Sequence, residues 1–242
     1  MEVDMIELKN VKKYYGMKAV GLMNESVVIN SGEVVGILGE NGAGKSTLLK
    51  VIMGLAKLNA GEVLIDGKPP VQMYEHMAFI THEGSFFPNL TPYQYGEFIS
   101  QHFKYFSTER YHKLLKFFEL ESCSKIRTFS FGQKAKLEIC AGFSKMAKYI
   151  IMDEPFLGED ILTRQDFIKL MASSIKEDET ILISTHHINE IENFIDRAII
   201  LRYGRIKADI YMDDLKSQGK TLSQLIMELS EYKENKYKGV LD

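Results

Sequence analysis

The sequence has no tryptophan, two cysteines, five prolines and a formal net charge of only −3. Cys123 and Cys140 have no Cys or His partner at metal-ligand spacing. That speaks against a disulfide framework or a zinc site, and for a reduced compartment. No apolar run reaches the ~18–20 residues that cross a bilayer. The N-terminus, Met1-Glu2-Val3-Asp4, is acidic and carries no signal-peptide pattern. The expectation is a cytoplasmic chain, soluble by itself, which leaves docking on a membrane protein open. Lysines and arginines are scattered, so no nucleic-acid partner is expected. There is no internal repeat and no low-complexity linker, and 242 residues suffice for one domain with subdomains.

What the chain does have is Gly39-Glu40-Asn41-Gly42-Ala43-Gly44-Lys45-Ser46-Thr47, a G-x-x-x-x-G-K-S phosphate-binding loop. Val34 to Leu38 before it reads as a buried strand, and Leu48 to Met53 after it as a helix, the context this motif needs. Gly42 and Gly44 allow backbone conformations in which successive N–H groups point inward at phosphate oxygens. The helix that follows adds its unpaired N-terminal donors. Lys45 can reach the β- and γ-phosphates, and the Ser46 hydroxyl can ligate Mg²⁺. The stretch specifies a nucleotide but not a purpose.

Alternation of Ile6 and Leu8 against Glu7 and Lys9 predicts a half-buried strand over Met5 to Val11, with Tyr14-Tyr15-Gly16 as a turn. Further strands are expected at Val27 to Ile29, Glu62 to Asp66 and His76 to Ile80. From about residue 85 to 144 the texture becomes helical. Thr91-Pro92 reads as a helix start, with proline at the first helical position. Helices follow over Tyr93 to Phe106, Glu109 to Leu120 and Phe131 to Phe143. Their many Phe and Tyr residues are read mainly as core packing. Tyr149 to Asp153 is a buried strand ending in acid. Then come a helix over Ile161 to Ile175, a strand over Thr180 to Ser184, a helix over His187 to Phe194, and strands over Arg197 to Leu201 and Arg205 to Ile210. Leu222, Leu225, Ile226 and Leu229 lie at helical spacing, and the polar tail beyond is expected to fray.

Asp153-Glu154-Pro155 supplies the second half of a nucleotide site. An aspartate ending an apolar strand beside the loop can hold Mg²⁺. Glu154 can take a proton from an attacking water. Phe129-Ser130-Phe131-Gly132-Gln133 lies upstream of this pair. Leu157-Gly158-Glu159-Asp160 follows it, and Ser184-Thr185-His186 closes a later strand. With these motifs in this order, the chain resembles the ATP-binding subunits of ABC transporters over about residues 5 to 210. The five residues from Phe129 sit where that family has its Leu-Ser-Gly-Gly-Gln signature. Leu157 to Asp160 is similar to its D-loop, His186 to its switch histidine, and Tyr15 to the aromatic residue that stacks on adenine, with Tyr14 as the rival.

The resemblance implies a P-loop NTPase of α/β class. Its core sheet is mostly parallel, with an antiparallel β subdomain and an inserted helical subdomain. All 242 residues form one ATP-binding domain, with a C-terminal helix and tail from about residue 211. The resemblance further implies that two subunits, identical or related, close head to tail around ATP and Mg²⁺. Ser130, Gly132 and Gln133 would then meet the nucleotide bound by the partner chain's loop. Asp160 would reach across the interface, and His186 would hold the γ-phosphate with Glu154 as base. A separate transmembrane permease would be powered, the loose signature and short helical block being more similar to exporters. The alternative is a soluble relative that energises a cytoplasmic scaffold, as in iron–sulfur cluster assembly.

Four positions depart from the family pattern. Alignment on Phe87-Pro88-Asn89-Leu90-Thr91 puts His82, with Glu83 beside it, where the family has a Mg²⁺-touching glutamine. Either Glu83 substitutes as a ligand or the loop senses without ligating. His187 replaces an aspartate and is read as a surface residue. Glu159 replaces a leucine. Phe131 replaces a glycine, so its ring either points into its own subunit or holds two subunits apart.

Overall fold

The computed structural model describes residues 5–16, 19–81, 87–158, 160–174 and 178–229. The alternating Ile6 and Leu8 build β1 (Met5–Tyr15), antiparallel to β2 (Ala19–Asn30). β1 continues through Tyr15, beyond the expected end at Val11. Register shifts between Leu8 and Val11 and between Lys13 and Tyr14, with Asn10 at φ 49°, break the alternation while the pairing continues. The apolar run β3 (Val34–Leu38) leads through the glycine loop into α1 (Lys45–Ile52). β4 (Ala60–Ile65) then returns to the other edge of β1, completing a three-stranded antiparallel sheet.

After β5 (Met77–Thr81) the chain forms α2 (Pro92–His102), α3 (Thr108–Phe117) and α4 (Phe131–Ser144). Thr91 caps α2 as its sequence suggests. Its Oγ1 accepts from Gln94 N at 3.2 Å, and Gln94 Oε1 accepts from Thr91 N at 3.0 Å. Inside the block the Tyr111 ring is fully buried and its hydroxyl donates to the Pro92 carbonyl at 2.8 Å. A methyl group on Gly96 would meet that ring at 2.3 Å, so the glycine makes room for the tyrosine. The aromatic residues divide. Tyr95, Tyr111, Phe118, Phe129 and Phe143 are core, whereas Phe87, Tyr93, Phe98, Tyr105 and Phe117 face solvent.

The remaining elements are β6 (Tyr149–Asp153), α5 (Ile161–Ser174), β7 (Thr180–Thr185), α6 (Ile188–Ile191), β8 (Arg197–Arg202), β9 (Arg205–Tyr211), α7 (Met212–Ser217) and α8 (Leu222–Leu229). α6 is a single turn, shorter than its apolar spacing suggests. α7 was not expected, since it buries only Met212 and Leu215 and so has little periodicity to read. The second sheet runs β5-β6-β7-β3-β8-β9, parallel except for the β8–β9 pair.

Every residue of β3, β6 and β7 is buried, because this sheet is covered on both faces. Successive side chains alternate between two cores. Tyr149 and Ile151 join Leu48, Leu49 and Ile52 of α1, with Ile6 and Leu8 of the antiparallel sheet beyond. Ile150 and Met152 join Leu137, Phe143, Phe156 and Phe167 on the helical side. Among the described residues no helix is long and apolar enough to cross a membrane.

Candidate nucleotide site

Parallel pairing aligns the C-terminal ends of three strands. Asp153 is level with Ser184, and Thr185 is level with Leu38, the last residue before the glycine loop. The loop's shape depends on its glycines. Gly39, Gly42 and Gly44 have φ of +146°, +81° and +110°. A methyl group on Gly39 would lie 2.3 Å from the Leu201 carbonyl oxygen, and one on Gly44 2.5 Å from that of Gly21.

Lys45 is 6% exposed. Its ammonium donates to the Gly39 carbonyl at 2.8 Å and stands 3.4 Å from Glu154 Oε1. The other oxygen of Glu154 lies 3.0 Å from His186 Nδ1. One carboxylate thus bridges the loop lysine and the histidine of the later strand. Glu154 itself has φ +47°, unusual for a residue with a side chain, and its N–H is held by the Ser184 hydroxyl at 3.0 Å and carbonyl at 3.1 Å. Asp153 Oδ1 accepts from Ser46 Oγ at 2.9 Å and from Ser184 Oγ at 2.7 Å.

Lys45, Ser46, Glu154 and His186 line a cleft of about 380 Å³, together with Tyr15, Gly21, Glu40, Asn41, Gly42, Ala43, Gly44, Thr47 and Leu157. Tyr15 lines it and Tyr14 does not, and the Lys13 ammonium lies 4.6 Å from the Tyr15 ring centre. Gly21 was not singled out from sequence, and Ser184 was named only as the start of the histidine motif, without its bonds to Asp153 and Glu154. The signal for Gly21 was a glycine inside a strand, which marks close backbone approach. A methyl there would meet Thr47 Cγ2 at 2.6 Å and Tyr15 Cε2 at 3.1 Å.

The signature residues lie outside this cleft. Ser130 is exposed at the start of α4 and caps it. Its Oγ accepts from Gln133 N at 3.2 Å, and Gln133 Oε1 accepts from Ser130 N at 2.9 Å. Gly132 sits in the same first turn. Asp160 caps α5, its Oδ1 accepting from Leu162 N and Thr163 N, both at 3.0 Å, and Oδ2 from the Thr163 hydroxyl at 2.7 Å. These bonds, that of the Thr163 side chain foremost, hold its carboxyl below the usual range. His82 and Glu83 lie outside the described residues.

His187, read from the sequence as a surface residue, is partly exposed, with its ring centre 4.1 Å from that of His186. Burial first, then the neighbouring His186 and Arg164, push its pKa down, which favours the neutral ring. Beneath it the Arg164–Glu190 ion pair, 3.2 Å, ties α5 to α6.

A glycine loop between a central strand and a helix, with an acid-tipped neighbouring strand, defines a nucleotide-binding P-loop domain. The chain belongs to the ABC transporter family, whose model, described as "ABC transporter", matches residues 22–157. It is 31% identical over 238 residues to the uncharacterized ABC transporter ATP-binding protein YdbJ of Bacillus subtilis, covering 95% of this chain and 75% of that one. The SkfA peptide export ATP-binding protein SkfE of the same organism is 28% identical over 95% of this chain and 99% of its own. Among solved structures, a dimeric ATP-binding cassette in a post-hydrolysis state with ADP and Pi superposes with a TM-score of 0.76. It is 30% identical, covering 86% of this chain and 98% of that one. This protein is an ATP-binding ABC ATPase.

Proposed function

We propose that this ATPase powers a separate transmembrane permease, an exporter, as one half of a head-to-tail pair of ATP-binding subunits. The observation that carries the reading is the split between the two parts of the nucleotide machinery. Lys45, Ser46, Glu154 and His186 line one cleft, with Asp153 bonded to Ser46, while Ser130 and Gly132 lie outside it in the first turn of α4. A γ-phosphate needs donors on several sides, so a signature outside its own cleft would serve a second chain's nucleotide.

In this reading Lys45 and the loop N–H groups neutralise the β- and γ-phosphates, and Tyr15 supports the base. Ser46 and Asp153 are the hard oxygen donors that would hold Mg²⁺. When bound, Mg²⁺ would supply neutralisation of the charge on the β- and γ-phosphates. Glu154 receives the proton of the attacking water. Its contact with Nδ1 of His186 orients that ring beside the cleft.

The export-system relative favours an exporter. An exposed aromatic strip on the helical block, Phe87 against Phe98 at 5.0 Å and Phe98 against His102 at 4.4 Å, suits an apolar segment of a membrane partner. The test is affinity purification of the tagged chain from detergent-solubilised membranes of its own host. A polytopic membrane protein at stoichiometric yield is the expected result. Recovery only with soluble scaffold proteins would favour the scaffold alternative.

A further inference from the structure

Phe131 opens α4 directly after Ser130 and is 49% exposed. Its ring is nonetheless placed. A methyl group built on Gly158 would lie 3.0 Å from Phe131 Cδ1 and 3.2 Å from Cε1. The ring therefore covers the face of Gly158 that a side chain would take. Gly158 has φ +82°, so the turn also requires a residue that adopts this conformation without strain. The two positions are complementary. A large ring stands where the signature has a glycine, and a glycine without a side chain receives it.

The contact joins two pieces of the chain with different anchors. Leu157 lines the nucleotide cleft, Phe156 is buried in the helical-side core, and Asp160 is fixed to the first turn of α5. Gly158 sits between them, and the Phe131 ring is its contact from the α4 side. Ser130, next to Phe131, is itself fixed by its capping box. A ring rigidly based at the start of α4 thus sets how far Ser130 stands from the segment ending at Asp160.

We propose that Phe131 is a positioning residue: its ring clamps the Gly158 turn to the start of α4, so that Ser130 and Asp160 are offered to a second chain as one surface. The clamp belongs to a single chain. Its consequence for assembly rests on the head-to-tail reading above.

Two measurements separate the clamp from its consequence. Hydrogen exchange on the isolated, full-length chain reads the clamp. In Phe131→Ala, the amides of residues 157, 158 and 160 to 163 should exchange about fivefold faster or more, while those of β6 and the interior of α4 stay as in wild type. Phe131→Leu, which keeps an apolar side chain over the glycine, should restore most of the protection. Unchanged exchange in Phe131→Ala overturns the proposal. Sedimentation velocity with ATP and Mg²⁺ in the Glu154→Gln background reads the consequence. There Phe131→Ala should weaken the dimer by about fivefold or more, with recovery in Phe131→Leu. A dimer that is unchanged or tighter overturns the proposal, a tighter one because the ring would then be an obstruction. A Glu154→Gln parent that stays monomeric with ATP, beside the expected exchange result, overturns the homodimeric head-to-tail reading and leaves the clamp standing.

Discussion

The Ser46 hydroxyl donates to the Asp153 carboxylate across 2.9 Å, although the two residues are 107 positions apart in the chain. This bond joins the helix that leaves the glycine loop to the end of β6, and through Asp153 also to Ser184 on β7. Of the two donors that would hold a metal, Ser46 is therefore placed by the glycine loop and its helix, and Asp153 by strand pairing.

Lys45→Ala should abolish ATP hydrolysis and strongly weaken nucleotide binding, because the buried ammonium is the cation of the cleft. Isothermal titration calorimetry gives the check. Wild-type ATP affinity in the variant would remove Lys45 from the site.

Glu154→Gln should slow hydrolysis by roughly 10²–10⁴ while ATP binding survives, the scale for losing a general base. Glutamine can still bond to His186 through its amide, so the ring should stay in place. Single-turnover hydrolysis measures the loss, and a wild-type rate would exclude Glu154 as the base.

Asp66 gives a pH-dependent prediction. Burial favours its protonated form, but hydrogen bonds from Tyr149 and Lys148, the Lys148 charge and the Met5 N–H outweigh burial and bring its pKa below the usual 3.8. A carboxylate with a depressed folded-state pKa contributes stability above its unfolded value, and loses it as pH falls through the folded one. Asp66→Asn should therefore cost about 1–2 kcal/mol at pH 7, the scale for hydrogen bonds to a charged group. The gap to wild type should close as pH falls below about 4. Asparagine tolerates the φ of 50° at this turn, so the backbone is preserved. Urea titrations at several pH values would show a constant gap if the carboxylate were unimportant.

Arg164→Ala should destabilise the chain by about 3 kcal/mol, since it leaves Glu190 largely buried without its cation. Replacing both members, as Arg164→Met with Glu190→Leu, should recover most of the loss. Chemical denaturation of the two variants decides. Equal destabilisation in single and double variants would show that the pair is not the reason.

The sequence is most informative where chemistry is carried by contiguous residues. Gly39 to Thr47, Asp153-Glu154 and Ser184 to His186 each lie on a strand end, and an apolar run marks the strand. The caps at Thr91 and Ser130 are equally local, because each is satisfied three residues on. The rest depends on contacts between distant segments. That Tyr15 lines the cleft and Tyr14 does not depends on how β1 sits beside the loop, which no periodicity shows. His187 looks like a surface substitution until α5 brings Arg164 beneath it. The neighbour of the Phe131 ring is a glycine 27 positions later, whose missing side chain leaves room for it.

The level alignment of β3, β6 and β7 decides which changes of length this protein tolerates. The site is assembled from strand ends, and the segments between them cross over on the faces of the sheet. Residues added within the crossover between α1 and β6, where the whole helical block is inserted, leave the ends where they are. A single residue added inside β6 does not. Side chains alternate faces, so the insertion would swap the neighbours of its two cores and turn the Asp153 carboxylate away from Ser46. The helical block between β5 and β6 is thus elastic in length, while the five residues of β6, Asp153 included, are fixed in number.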